Sequence, residues 1–483
     1  MRRTTPLTAA AMLGLALLAP TTSATAVGET CRGEAATIVG SGPTLIGTEG
    51  RDVIVTGTAT EVSALGGDDL VCVTGTAGTY VAAGTGNDTV DTTALGGASH
   101  VTVYLGAGAD TLVGGAAAET VTTGDPHQGS DVDNDTDSVS TGAGDDRVVV
   151  GTQYLPNTEL RSDAVELGPG DDVATIQSRT MLAAATIDGG EGTDQIAVDF
   201  TNDGVSSVDM ERGIVQAGDG TYAKPVSLIS FETADISTTW PGGSGAWGPA
   251  TVSYKGTSGD DVVTLRPDQT ASNPDVTVQT FGGDDQVLFA DTPTSDTRVD
   301  TGAGDDLLVA AGPNGGMRLD LATGVWRSER FFGPDPAYWG PTPDVVTSAV
   351  DNVENAFLMA PEVKILGNGK ANELSYNGCR GTLRGGAGGD RLSIVAGDPW
   401  WDQFSYDCEA LSLEATSTMA GGPGQDRLRG GPGKDKLRGD AGNDALHGRA
   451  GDDVLLGGRG TDQADGGKGR DRCVAERARR CER

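Results

Sequence analysis

Histidine is almost missing from this chain. Of 483 residues only His100, His127 and His447 are histidine, they lie in unrelated contexts, and no HExxH occurs, which excludes a zinc protease of the helix-borne type. No GxSxG occurs either, so the exposed serine nucleophile of a strand-turn-helix elbow is absent. Aromatic residues make up 5% of the chain, few for a conventional mixed core, whereas a solenoid needs only a narrow apolar column. Beyond the amino terminus no apolar stretch approaches 18 residues, so no membrane-spanning helix is expected. Positive charge is scarce as well: 34 Lys+Arg against 69 Asp+Glu give a formal net charge of -35, and nucleic acid is a poor partner for such a surface.

What the chain has instead is glycine, 75 residues of it, placed in register with aspartate. From Gly421 to Val474 the sequence cuts into six consecutive nonapeptides, GGPGQDRLR, GGPGKDKLR, GDAGNDALH, GRAGDDVLL, GGRGTDQAD and GGKGRDRCV. Each has Gly at positions 1 and 4 and Asp at position 6, and the first four have Leu at position 8. Glycine takes the left-handed backbone that a reversal every nine residues requires. The position-6 carboxylates of Asp426, Asp435, Asp444, Asp453, Asp462 and Asp471, with carbonyl oxygens of the turn, form the hard-oxygen set that Ca2+ takes. Position 8 starts a short strand and points inward, so stacked coils bury an apolar ladder of Leu428, Leu437, Leu446 and Leu455. Two nonapeptides make one coil, so Asp426 is expected against Asp444 and Asp435 against Asp453.

The segment resembles the RTX, or haemolysin-type, calcium-binding repeat family. The resemblance implies an all-β fold, a right-handed parallel β-roll with calcium in its turns, and a ligand role for the position-6 aspartates. Position 2 departs from the pattern at Asp440 and Arg449, and position 8 at Ala464 and Cys473. Folding is expected to depend on Ca2+, because facing aspartates repel and so thin a core barely offsets chain entropy.

Degenerate copies of the repeat extend upstream. Turns at Gly47, Ala64, Ala83, Leu105, Thr141, Leu167, Gly189, Gly256, Thr280, Thr301 and Gly385 carry Asp52, Asp69, Asp88, Asp110, Asp146, Asp172, Asp194, Asp261, Asp285, Asp306 and Asp390. Successive starts are often 17 to 22 residues apart, about one coil, which predicts that these aspartates share a single edge of the roll. The alternative for each is an ion-free aspartate turn satisfied by backbone N–H groups. The acidity belongs to this part: residues 421–483 hold 14 Lys+Arg and 11 Asp+Glu, net +3, leaving 20 basic and 58 acidic groups, net -38, for the rest.

Residues 1–26 read as a secretory signal, with MRR, the apolar run Leu7 to Ala19 and an A-x-A end at Ala24 to Ala26. The mature protein is thus expected to be secreted and extracellular. The chain then divides into an amino-terminal cap and degenerate solenoid (27–200), an insertion (201–255), further repeats (256–311), an aromatic insertion (312–367), a repeat with a Trp-rich insertion (368–420), the six regular units (421–474) and a cap (475–483). The three interruptions hold all six tryptophans, Trp240, Trp247, Trp326, Trp339, Trp400 and Trp401. They are either aromatic platforms for a glycan or cell-surface ligand or local core for bulged coils. Cys31, Cys72, Cys379, Cys408, Cys473 and Cys481 suggest disulfides in an exported chain, and sequence order favours three local pairs among the 15 possible connectivities. The reading is a non-enzymatic, calcium-binding structural and binding protein. Its alternatives are an adhesin and a calcium-dependent polysaccharide lyase, for which Arg161, Arg179 and Arg266 are available as a base.

Overall fold

The computed structural model describes residues 28–75, 78–124, 135–150, 163–178, 185–200, 205–216, 225–238, 251–266, 275–290, 297–312, 315–330, 344–395, 408 and 415–482. Among these every regular element is a β-strand. The strands alternate between two sheets, called sheet 1 and sheet 2 here, as the chain winds through successive coils. Sheet 1 runs from Ile38–Val39 to Arg472–Val474 and sheet 2 from Thr44–Thr48 to Arg477–Arg479. The chain is therefore an all-β parallel roll.

The alternation in the sequence sets the faces of the strands. In His100–Ala107 the residues Val101, Val103 and Leu105 are buried while Thr102 and Tyr104 point outward. Because neighbouring strands are parallel and in register, like residues stack: Val81, Val103, Val121 and Val148 form one column of sheet 2. Val71, Val90, Leu112, Val139 and Val165 form a column of sheet 1, and these side chains meet in one continuous core between the sheets. Each fully buried Val or Leu contributes roughly 1.5–3 kcal/mol before chain entropy is counted.

In the regular segment the leucines are split between the sheets. Leu428 and Leu446 stack in sheet 2, and Leu437 and Leu455 stack in sheet 1. The expected single ladder is thus two columns, because nine residues advance the chain by half a coil. All four are buried, and so is Ala464.

The described strands of the stretches 201–255 and 312–367 belong to the roll. Thr186–Glu191 pairs in parallel with Val226–Ile229, which runs antiparallel to Ile214–Gln216, which runs antiparallel to Val205–Asp209, which pairs in parallel with Thr251–Lys255. The same device recurs through Arg298–Asp300, Asp344–Asp351, Val325–Arg330, Gly316–Asp320 and Glu362–Leu366. Each meander adds two strands to sheet 1 that sheet 2 does not match, and it sends Val208, Val215 and Val226, or Met317, Leu319 and Trp326, into the core. Trp326 is 0% exposed and packs edge-on against Phe289 with ring centroids 5.2 Å apart. Trp326 is core and no platform; Trp240, Trp247, Trp339, Trp400 and Trp401 lie outside the described residues, as do the signal segment, Arg161 and Arg179.

Disulfides join Cys31 to Cys72, Cys379 to Cys408 and Cys473 to Cys481. The first ties a small hairpin, Thr30–Cys31 with Glu34–Ala35, onto Val53, Val55 and Leu70. At the other end the loop closed by Cys473 and Cys481 is held down by Arg480 and Arg479 on Asp465.

Candidate metal centre

Each turn of the repeat delivers its aspartate just before a strand, and the strand's parallel register stacks that aspartate on its counterpart one coil away. The backbone N–H of Asp69 donates to Oδ1 of Asp88 (2.8 Å), that of Asp88 to Asp110 (2.8 Å), that of Asp426 to Asp444 (2.9 Å) and that of Asp435 to Asp453 (2.9 Å). The carboxylates thereby line up as ladders along the roll.

The ladders occupy both edges. Asp52, Asp69, Asp88 and Asp110 precede strands of sheet 1, as do Asp453 and Asp471, and Asp435 is the second residue of the sheet 1 strand Lys434–Ala441. Asp146, Asp172, Asp194, Asp261, Asp285, Asp306, Asp390, Asp426, Asp444 and Asp462 precede strands of sheet 2. The expectation of one shared edge for the upstream set is therefore wrong. The 36-residue step from Asp110 to Asp146 resembles two short coils, but the coil here is longer: Asp110 stacks on Asp137 and Glu119 on Asp146, each 27 residues on. Asp146 consequently lands on the opposite edge.

Seven ladder members were not singled out in the sequence: Glu119, Asp137, Asp163, Glu232, Glu354, Asn372 and Glu476. Six of them lack the glycine framework that marks the others, and at Asn372 an amide replaces the carboxylate. What they share with it is an acid or amide two residues ahead of a side chain on the inward face, as in Asp137-Ser138-Val139 and Glu354-Asn355-Ala356. Position 5 makes a second, exposed ladder of opposite sense, in which Asn87 N–H donates to Asp68 and Asp284 N–H to Asp260. Part of the upstream acidity is thus engaged by backbone amides.

The second carboxylate oxygen of most ladder aspartates is the unusual feature. Oδ2 of Asp69, Asp88, Asp146, Asp172, Asp194, Asp285, Asp306, Asp390, Asp426, Asp444, Asp453, Asp462 and Asp471 is buried and has no hydrogen-bond partner. Glycine at position 1 gives that oxygen room: a Cβ on Gly421 would lie 2.1 Å from Asp426 Oδ2, and one on Gly457 2.3 Å from Asp462 Oδ2. A buried, unpartnered anionic oxygen is costly unless a cation meets it. Among the described residues no three His, Cys, Asp or Glu side chains converge on one point. An ion here must take most of its ligands from backbone carbonyls, which is chemistry that suits Ca2+ and not Zn2+.

Burial also keeps these groups protonated longer. It raises Asp88 and Asp172 to about 7 and Asp69, Asp426 and Asp453 to about 6, with neighbouring carboxylates adding to the effect. In the unfolded chain a carboxyl titrates near 3.8. Between those values the folded chain binds more protons, so calcium-free stability is greatest below the unfolded value and is lost as pH rises toward 7. Acidifying the calcium-free protein from pH 7.5 to 4.5 is expected to increase its far-ultraviolet β signal; an unchanged or reduced signal would contradict the ladder's protonation.

The pattern of one known family, the RTX calcium-binding nonapeptide repeat, matches the chain at residues 83–118, 420–455 and 439–473. No curated protein matches it. The matched segments hold Asp88, Asp110 and the carboxy-terminal aspartates. The chain thus carries RTX-type repeats, which bind calcium.

Proposed function

We propose that this protein is an extracellular rod stiffened by calcium, with a structural and binding role. The observation that carries the reading is the row of buried carboxylate oxygens that no protein group meets. In this reading Asp69, Asp88, Asp146, Asp172, Asp194, Asp285, Asp306, Asp390, Asp426, Asp444, Asp453, Asp462 and Asp471 supply carboxylate oxygens and the glycine turns supply carbonyls. The ion contributes positive charge that cancels repulsion along each ladder. Three disulfides and the signal-like residues 1–26 support an oxidising, extracellular location, where calcium is abundant. RTX repeats are generally structural, and Arg266, one of the three arginines available to a lyase, is held by Asp235 at 3.0 Å.

The test is equilibrium dialysis of the mature chain against millimolar CaCl2 with a MgCl2 control. Several Ca2+ per chain are expected, with dissociation constants on the order of 10⁻⁴ to 10⁻³ M, the range of extracellular modules. Absence of bound calcium would sink the reading.

A further inference from the structure

The repeat turns come in two conformations. In the open kind the position-2 residue is left-handed, whether glycine, as at Gly84 (φ 116°) and Gly386 (φ 110°), or not, as at Leu65 (φ 76°), Phe281 (φ 68°) and Arg449 (φ 82°). The position-4 N–H then donates to the next turn along the roll, Gly86 to Ala107 (2.9 Å), Gly283 to Ala303 (3.0 Å) and Gly442 to Arg459 (2.8 Å). The ladder aspartates of these turns have the unpartnered second oxygen.

In the closed kind the position-2 residue is not left-handed, and its N–H donates to the position-6 side chain. Thr48 donates to Asp52 (2.7 Å), Thr257 to Asp261 (2.8 Å), Asn368 to Asn372 (2.9 Å) and Gly431 to Asp435 (2.7 Å). In three of these the position-4 N–H goes back to the position-2 side chain: Gly50 to Thr48, Gly259 to Thr257 and Lys370 to Asn368. Asp52, Asp261 and Asp435 are absent from the unpartnered set.

Position decides which kind forms. Every closed turn begins a run: Asp52 starts its edge, Asp261 follows Glu232, Asn372 follows Glu354, and Asp435 follows Ser417. Three runs end on a glutamate, whose extra methylene lets Oε2 accept the last aspartate's N–H: Asp194 to Glu232 (2.7 Å), Asp306 to Glu354 (3.1 Å) and Asp462 to Glu476 (2.8 Å). At the central junction the Lys370 ammonium pairs with the Glu354 carboxylate.

We propose that the closed turns are built to stay free of calcium and that, together with Glu232, Glu354 and Glu476, they divide the ladders into separately loaded runs. At the Glu354 and Asn372 junction the protein's own cation, Lys370, stands where an open turn would need an ion. The inference rests on the reading of the open turns as calcium ligands. It converts the number of aspartate turns into a smaller number of ions and says where the ions are absent.

Bound calcium is counted by equilibrium dialysis and atomic absorption in the mature chain and in Asp285→Asn and Asp261→Asn. Asp285→Asn is expected to lose at least one ion and Asp261→Asn none; equal losses overturn the inference. A wild-type chain without calcium removes the underlying reading and this inference with it. Because either variant can fail to fold, terbium-soaked crystals of the wild type give an independent answer. Anomalous peaks are expected at Asp285 and Asp306 and none at Asp52, Asp261, Asn372 or Asp435, and a peak at any of those four overturns the proposal.

Discussion

Chelating calcium at pH 7.5 is expected to remove most of the far-ultraviolet β signal of the mature chain, and adding back CaCl2, but not MgCl2, is expected to restore it cooperatively. The argument begins with spacing. Neighbouring strands of a sheet lie about 4.8 Å apart, so ionised aspartates stacked one per coil repel by roughly 3 kcal/mol per adjacent pair at an effective dielectric of about 20. Their first oxygens are engaged by backbone N–H groups, but the second oxygens of the open turns meet no protein donor. Cationic side chains act on single members, as Arg51 does on Asp69 and Arg449 on Asp435, whereas the repulsion runs along the whole ladder. The core is a narrow column made mostly of Val, Leu, Ile and Ala, and marginal stability of some 5–15 kcal/mol leaves little margin for several unscreened pairs. Magnesium demands a tighter octahedral shell and keeps its water, so carbonyl-rich turns should discriminate against it. A β spectrum indifferent to calcium at neutral pH would refute the central reading and leave a roll held by its disulfides and core alone.

A single methyl group at the right glycine should be nearly as damaging. Gly442 stacks on Gly424 so closely that a Cβ would stand 1.4 Å from the Gly424 carbonyl oxygen and 2.5 Å from its carbon. Both neighbours are backbone and cannot turn aside. Gly442 also has φ 149°, which an L side chain tolerates poorly. Overpacking and backbone strain together place the cost of Gly442→Ala at roughly 4 kcal/mol, enough to disrupt the stacked turns around it. Gly369 is the control: nothing lies within 4 Å of its Cβ position and its φ is not positive, so Gly369→Ala should cost under about 0.5 kcal/mol. Thermal unfolding in saturating calcium measures both, and equal midpoints would show that turn stacking does not limit stability.

Leu65 and Phe281 show that the turn's shape is imposed by its neighbours. Both are left-handed at position 2 although neither is glycine, whereas Gly431, free to adopt that conformation, does not. The difference lies in what is stacked before each turn, Asp52 and Asp261 turns in the first two cases and Ser417 in the third.

The nine-residue register, the glycine at positions 1 and 4, the aspartate before each strand and the inward residue two places later were all legible in the sequence, because each serves a local requirement of one turn and one strand. The pairing of Asp426 with Asp444, the parallel all-β architecture and the three cysteine pairs followed from that register and from order along the chain. The edge each upstream aspartate occupies was not legible, since it depends on coil length, and the 27-residue coils after Asp110 and Glu119 carry extra residues that have no periodic signal in the sequence. Nor was the continuity of the two meanders, whose antiparallel strands join sheet 1 through partners far away in sequence. Whether a turn is open or closed was likewise decided only by the tertiary structure, because it depends on what is stacked before the turn, which lies a whole coil away in sequence.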